Sequence, residues 1–283
     1  MTNERPIVAR SVAAMRKEVK EWRRAGDLVG VVPTMGALHD GHLALVQAAK
    51  SECDRVIVTI FVNPAQFAAN EDLDAYPRGE AEDLAKLRIL ETDLAFMPDA
   101  GEMYPDGFVT KVRVEGITEI LCGLGRPVHF GGVATVVSKL FNQSQADRAY
   151  FGEKDYQQFL VVRRMARDLD IPIEVVPVPT VREADGLAMS SRNVYLSDEQ
   201  RANAPALYRV IRGVATQVAD GASAEVAVAW GHKELETCGF ARIEYLEVLE
   251  AEMLRPLDFP SKPGRVFVAA HLGSIRLIDN VAI

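Results

Sequence analysis

His39 and His42 stand three residues apart in the run Pro33-Thr34-Met35-Gly36-Ala37-Leu38-His39-Asp40-Gly41-His42. On a helical turn that spacing puts two imidazoles on one face. There both could donate hydrogen bonds to a phosphate that becomes pentavalent as charge develops on it. Gly36 and Gly41 would let the backbone come close to a nucleotide, and the N–H groups that open a helix favour an anion. The ordinary alternative is two surface histidines beside a helix cap. It is weakened because two of the five histidines in the chain fall in this one turn.

Three further runs carry usable chemistry. Arg182-Glu183-Ala184-Asp185-Gly186-Leu187-Ala188-Met189-Ser190-Ser191-Arg192 offers two hydroxyls and a guanidinium, suited to gripping a pyrophosphate; otherwise it is an exposed linker. Gly152-Glu153-Lys154-Asp155-Tyr156-Gln157-Gln158 lies between an apolar run and a helical pattern. Asp155 could cap that helix, and Lys154 could bring a positive charge to a phosphate. Glu153 or Asp155 could instead touch a ribose hydroxyl or a metal. In Phe61-Val62-Asn63-Pro64-Ala65-Gln66-Phe67, Gln66, like Gln158, is an uncharged double-ended hydrogen-bonder. Such a group can orient a hydroxylated carboxylate without trapping it.

These runs need a frame. Short Val- and Ile-rich stretches at 27–34, 55–62, 93–98, 148–151 and 173–178 read as strands covered on both faces. Helical patterns at 41–51, 80–90, 133–142 and 155–169 alternate with them, and in the last Phe159, Val162, Met165 and Leu169 recur on one face. The alternation predicts an α/β fold, a Rossmann-like doubly wound parallel sheet that binds ligands beyond the carboxyl ends of its strands. After residue 178 the order changes to helices at 198–219 and 222–238, then strands at 242–249, 265–271 and 275–280. That pattern predicts a smaller C-terminal α+β domain, with domains at 1–178 and 179–283.

Composition narrows the partners. Of 283 residues, 48% are hydrophobic and 25% charged, enough for a sizeable core. Forty acidic against 32 basic side chains give a net charge of −8, which disfavours nucleic acid and anionic lipid. It leaves room for a small anion in a locally positive site. Cys53, Cys122 and Cys238 form no CxxC pair, and no apolar run is long enough to cross a bilayer. A soluble protein of a reducing cytoplasm is expected.

The HxGH spacing resembles the signature of the nucleotidyltransferase superfamily, and Met189-Ser190-Ser191-Arg192 resembles a variant of the lysine-containing loop that partners it. The likeness becomes more specific over residues 30–196. There PTMGALHDGH, FVNPAQF, Tyr76-Pro77-Arg78, RPVHFGGVATVVSKLFN, FGEKDYQQ and READGLAMSSRNVYL occur in the order seen in the pantothenate synthetase (pantoate–β-alanine ligase) family.

That resemblance implies adenylation of (R)-pantoate by Mg-ATP with loss of pyrophosphate, then attack by β-alanine to give pantothenate and AMP. It implies ATP contacts from Pro33, Met35, Gly36, Ala37, Leu38, His39, Asp40, Gly41, His42, Gly152, Glu153, Lys154, Asp155, Val181, Met189, Ser190, Ser191 and Arg192. His39, His42, Lys154 and Arg192 would be catalytic, with His42 the proton donor to the transferring phosphate. Gln66, Gln158, Asn63 and Tyr76 would bind substrate. A homodimer and a C-terminal domain that closes the site are also implied. One departure is Val128 where the family often has glycine, so the turn before His129 should lose freedom at positive φ. The nearest competitor is another HxGH adenylyl- or cytidylyltransferase, which the paired glutamines disfavour. A truncated tRNA synthetase lacks basic surface for tRNA, and a non-catalytic nucleotide sensor would have no use for two histidines, Lys154 and Arg192 together.

Overall fold

The computed structural model describes residues 6–67, 73 and 76–283. The chain divides into two compact units, Met1–Glu153 with Gln157–Pro179, and Lys154–Tyr156 with Thr180–Ile283.

Among the described residues the first unit contains strands β1 (Ile7–Ala9), β2 (Val29–Thr34), β3 (Arg55–Ile60), β4 (Leu94–Phe96), β5 (Arg148–Gly152) and β6 (Glu174–Val178). All are parallel, in the order β1-β4-β3-β2-β5-β6. Val29, Val31, Val32, Val56, Ile57, Val58 and the whole of β4 are buried, so consecutive side chains pointing to opposite faces are both covered. The helices are α1 (Val12–Ala25), α2 (Asp40–Glu52), α3 (Glu80–Ile89), α4 (Ala100–Met103), α5 (Cys122–Gly125), α6 (His129–Ser144) and α7 (Tyr156–Asp168).

The chain runs from β2 outward to β3 and β4, then returns to add β5 and β6 on the other side of β2. Strand order therefore reverses between β2 and β5, and a ligand crevice is expected beyond their carboxyl ends. The HxGH run follows β2, and Glu153-Lys154-Asp155 follows β5. The opposite ends of the strands are held by acids. Asp54 accepts the Leu28 N–H at 2.8 Å, Asp93 that of Val56 at 3.0 Å, and Asp147 that of Val29 at 2.8 Å.

β1 and α1 were not expected from the sequence, nor were the short helices α4 and α5. The signals of α1 are there: Ser11 accepts the Ala14 N–H as N-cap, Met15, Val19 and Trp22 are buried on one side, and Gly26 ends the helix at φ +85°. Leu169 departs from the predicted apolar face. Phe159, Val162 and Met165 are buried, but Leu169 lies just past the end of α7 and is exposed. Nor does Val128 cost its turn anything. It sits at φ −90°, ψ −17° as the residue before α6, a region open to any side chain, so the expected loss of positive-φ freedom does not arise.

The second unit contains α8 (Asp198–Asn203), α9 (Ala206–Ala219), α10 (Ala224–Thr237) and the antiparallel strands β7 (Arg242–Glu250), β8 (Gly264–Leu272) and β9 (Ile275–Ala282), ordered β7-β8-β9. The single helix expected at 198–219 is two helices, because Pro205 has no N–H to carry a helix through. Leu207, Val210, Ile211, Val214 and Val218 of α9 pack into one core with Val266, Val268 and Ala270 of β8. Fully burying side chains of this size contributes about 1.5–3 kcal/mol each.

Candidate active site

The turn from β2 into α2 is capped by its own two histidines. His39 is the N-cap of α2, and its Nδ1 accepts the Gly41 N–H at 3.1 Å. His42 reciprocates, its Nδ1 accepting the His39 N–H at 3.4 Å. The two rings lie 4.1 Å apart between centroids. An imidazole nitrogen that accepts carries no proton, so this pattern assigns both neutral histidines as the Nε2–H tautomer. Each ring therefore carries its donor on the edge away from the cap.

The loop before the cap is held from α3. Buried Asp83 accepts the Ala37 N–H at 3.0 Å and the Leu38 N–H at 2.8 Å, and Lys86 Nζ donates to the Leu38 carbonyl at 2.5 Å. Gly36 N–H goes to Thr34 Oγ1, and that hydroxyl donates to the Thr59 carbonyl at 2.6 Å. Gly36 sits at φ +86° and Ala37 at φ +51°. A left-handed alanine costs roughly 1–2 kcal/mol, which Asp83 offsets through two hydrogen bonds. A side chain at Gly36 would stand 3.1 Å from Asp83 Oδ2 and 3.1 Å from Ile60. Backbone donors at 36–39, 41 and 42 are thus all engaged.

Beyond β3 a 3-10 turn, Pro64–Gln66, presents Gln66. Asn63 is 1% exposed and its amide is fully engaged. Its Oδ1 accepts the Ala65 N–H at 3.2 Å and the Tyr104 hydroxyl at 2.7 Å; its Nδ2 donates to Gln66 Oε1 at 3.1 Å and to the Gly132 carbonyl at 3.2 Å. Those four bonds engage the whole Asn63 side-chain amide within the protein, and the one to Oε1 orients Gln66. Since Asn63 Nδ2 can only donate, Gln66 must turn Oε1 toward it and present Nε2, which lies 3.0 Å from Met35 Sδ. Burial, against the bond to Asn63, pushes Tyr104 up to about 12, so its hydroxyl stays a donor. Gly132 lets α6 approach this turn, as a Cβ there would fall 2.3 Å from the Ala65 carbonyl oxygen. Tyr76 is half-buried with its ring edge-on to Phe67 at 6.1 Å.

Of the neighbouring glutamines, Gln157 is a staple. It donates to the carbonyls of Ile117 and Ile120, both at 2.8 Å, and accepts the Cys122 N–H at 3.1 Å. Gln158, the residue expected to meet substrate, is half-buried.

Met35 meets Gln66, and His39 meets His42, in the first unit, to which Gly152, Glu153 and Gln158 also belong. Lys154 and Asp155, with Nζ 3.7 Å from Oδ1, pack with the second unit, as do Val181 and Met189, Ser190, Ser191 and Arg192. Asp155 closes a 3-10 turn, Glu153–Asp155, that runs straight into α7.

The segment read as a loop is largely a hairpin. Arg182 pairs with Ala188, Met189 N–H donates to the Val181 carbonyl at 3.0 Å, and Gly186 makes the turn at φ +93°. Arg201 ties Asp185 and Glu183 at its tip. Against the desolvation that would raise it, Arg201 and the Leu187 N–H hold the Asp185 carboxyl below its ordinary value. Beyond the hairpin, Ser190 Oγ accepts the Arg192 N–H and caps the turn Ser191–Tyr195.

Among the described residues no three His, Cys, Asp or Glu side chains cluster as a metal cage, and no helix is long and apolar enough to cross a membrane.

Comparison with known proteins agrees with this geometry over nearly the whole chain. Residues 7–282 match the family model described as pantoate-beta-alanine ligase. A curated relative named pantothenate synthetase, from Caulobacter vibrioides, is 56% identical over 281 residues, covering 98% of this chain and 99% of its own. Another of that name, from Roseobacter denitrificans, is 54% identical over 274 residues, covering 97% and 96%. Among solved structures, pantothenate synthetase from Thermus thermophilus superposes with TM-score 0.92 at 48% identity, covering 97% of this chain and 98% of that one. Pantoate-beta-alanine ligase from Francisella tularensis, complexed with beta-gamma ATP and beta-alanine, superposes with TM-score 0.82 at 34% identity, covering 98% and 97%.

Proposed function

The chain belongs to the pantoate–β-alanine ligase family, and from that premise we propose that it joins (R)-pantoate to β-alanine in two steps at the expense of ATP. The observation that carries the chemistry is the pair of Nε2–H imidazoles fixed at the start of α2, three residues apart beyond the carboxyl end of β2.

A carboxylate is a poor acyl donor. In the first step a pantoate carboxylate oxygen attacks the α-phosphorus of ATP, and the bond to the bridging oxygen of pyrophosphate breaks. His39 and His42 donate to the α-phosphate oxygens as negative charge builds there, with His42 the proton donor. Lys154 and Arg192, with the hydroxyls of Ser190 and Ser191, take up the charge of the departing pyrophosphate. One such donor is typically worth about 3–4 kcal/mol in the transition state. Gln66, its Nε2 presented by Asn63, and Gln158 orient pantoate, with Tyr76 beside them. In the second step the β-alanine amine attacks the acyl carbon, the tetrahedral centre collapses, and AMP leaves with the bridging oxygen. Keeping water from the adenylate calls for closure of the turn that follows Ser190.

In this reading the nucleotide and pantoate fall to residues 1–178 and the closing elements to residues 179–283. Magnesium enters as part of Mg-ATP, since that ion typically takes substrate phosphates and one or two carboxylates, and Asp155 is the carboxylate beside Lys154. A homodimer in the cytoplasm completes the proposal; no disulfide joins Cys53, Cys122 or Cys238 among the described residues.

The test is AMP release by the purified protein with ATP, pantoate and β-alanine, each omitted in turn. AMP should appear in quantity only when all three are present. Release that ignores pantoate, or that transfers AMP to a phosphorylated acceptor, contradicts the reading.

A further inference from the structure

Lys154, Asp155 and Tyr156 pack with the second unit, although the β5 and α7 segments on either side of them belong to the first. What holds them there is β9. Asn280 Nδ2 donates to the Lys154 main-chain carbonyl at 3.0 Å, and Asn280 Oδ1 accepts from the Arg265 guanidinium. Arg265 in turn lies 3.9 Å over the centre of the Tyr156 ring, and Phe267 packs against the same ring at 6.0 Å. Both ends of the Lys154–Tyr156 segment are therefore fixed by one sheet, the backbone through an amide and the aromatic ring through a stacked guanidinium.

The residue before Asn280 holds the other candidate segment. Asp279 is 4% exposed and takes Arg182 in a bidentate pair, at 2.6 and 2.9 Å. Arg182 Nη2 also reaches the Asn280 carbonyl at 3.4 Å, Nη1 donates to the Gly186 carbonyl at 3.1 Å, and the guanidinium covers the Tyr208 ring at 3.7 Å. Arg182 opens the hairpin whose far strand delivers Met189 to Arg192. A buried carboxylate and a planar guanidinium in this geometry form a rigid joint, costly to break from either side. The joint at 279 and the amide at 280 are one residue apart on one strand.

We propose that Asp279 and Asn280 form a brace that positions Lys154 relative to the Ser190-Ser191-Arg192 turn. Asn280 fixes the backbone from which the ammonium projects, and Asp279 fixes the hairpin that carries the hydroxyls and Arg192. Both are positioning residues, acting through groups that touch ATP. The inference rests on the reading that Lys154 serves the adenylation step. Its physical motive is the lysine itself: four rotatable bonds leave Nζ poorly placed unless the main chain beneath it is held. A purely structural role for Asn280, satisfying β9 and nothing more, predicts different behaviour in a double-mutant cycle.

The experiment measures pantoate-dependent ATP–pyrophosphate exchange in the full chain for Asn280→Ala, Lys154→Ala and the double variant, with melting temperature alongside. Acting through Lys154, Asn280→Ala should lower kcat for exchange about ten- to a hundredfold. Aminolysis of pre-formed pantoyl adenylate by β-alanine should keep its KM for the amine. In the Lys154→Ala background the same substitution should have no further effect, since the group it positions is gone. An equal loss in both backgrounds, or wild-type exchange in Asn280→Ala, overturns the brace. Should Asn280→Ala not fold, Asn280→Asp carries the cycle, because it keeps the acceptor for Arg265 and loses only the donor to the Lys154 carbonyl. Wild-type protein without any pantoate-dependent exchange would instead remove the ligase reading, and the brace with it.

Discussion

Around His39 and His42 the bonds that set the imidazoles span two or three residues. Around Lys154 and Arg182 they span 126 and 97. The first set is a helix cap turned to chemical use: forming α2 puts both Nε2–H groups in place, with Asp83 and Lys86 locking the loop before it. The second set exists only when β9 has joined its sheet, because the bonds to Asp279 and Asn280 come from there. Gln66 stands between these extremes, in a short turn of its own but oriented through Tyr104 and Gly132, 41 and 69 residues from Asn63. The imidazole pair is thus built locally, and the Lys154 and Arg182 segments are built on long-range joints.

The largest effect should come from breaking the local set without touching its fold. His42→Asn keeps an acceptor where Nδ1 stood, so the cap survives, but removes the Nε2–H. Pantoate-dependent exchange should fall at least about a hundredfold with the melting temperature nearly unchanged. Lys154→Ala should match it in size. Near-normal exchange in His42→Asn would mean that the cap is only a cap.

Asp83→Asn comes next. An amide offers one acceptor where the carboxylate offered two, leaving the Ala37 or Leu38 N–H facing a donor in a buried place. Stability measured by urea unfolding should drop by about 1–3 kcal/mol. Exchange should drop roughly tenfold, as a loop with left-handed Ala37 loosens. A loss of stability with exchange untouched would show that the loop does not depend on this carboxylate for its working shape.

Smallest is Gly132→Ala, which pushes the turn carrying Gln66 away from α6. Overpacking of this kind costs about 1–3 kcal/mol. KM for pantoate should rise several-fold while KM for ATP holds, and a change confined to ATP would detach Gln66 from pantoate.

The same comparison explains what could be read from the sequence. The HxGH run is contiguous, and its strand–turn–helix setting follows from periodicity and capping, so its place beyond the carboxyl end of a parallel strand was legible. Asp83 was not, because an acid on an amphipathic helix looks like a solvent-facing residue until β2 delivers two unpaired N–H groups beside it. Asn63 stands out in the sequence, but the four bonds of its amide come from segments scattered between 65 and 132, which the sequence does not place beside it. Asp185-Gly186 is a hairpin signal inside a run that also reads as a linker, and only the pairing of Arg182 with Ala188 decides between them. Val128 misled in the opposite direction: a difference in residue type suggested strain where the backbone, at φ −90°, has none. Asn280 carried no sequence signal at all, since a polar residue near the end of an edge strand is unremarkable until its partner 126 positions away is known.

The central claim is that a carboxylate oxygen of pantoate is transferred to the α-phosphorus of ATP under the two imidazoles. Pantoate labelled with 18O in its carboxylate, turned over with unlabelled ATP and β-alanine, tests it directly by mass spectrometry of the products. The account predicts label in the phosphate of AMP, with none in pyrophosphate. Unlabelled AMP, or label in orthophosphate formed alongside ADP, would contradict it.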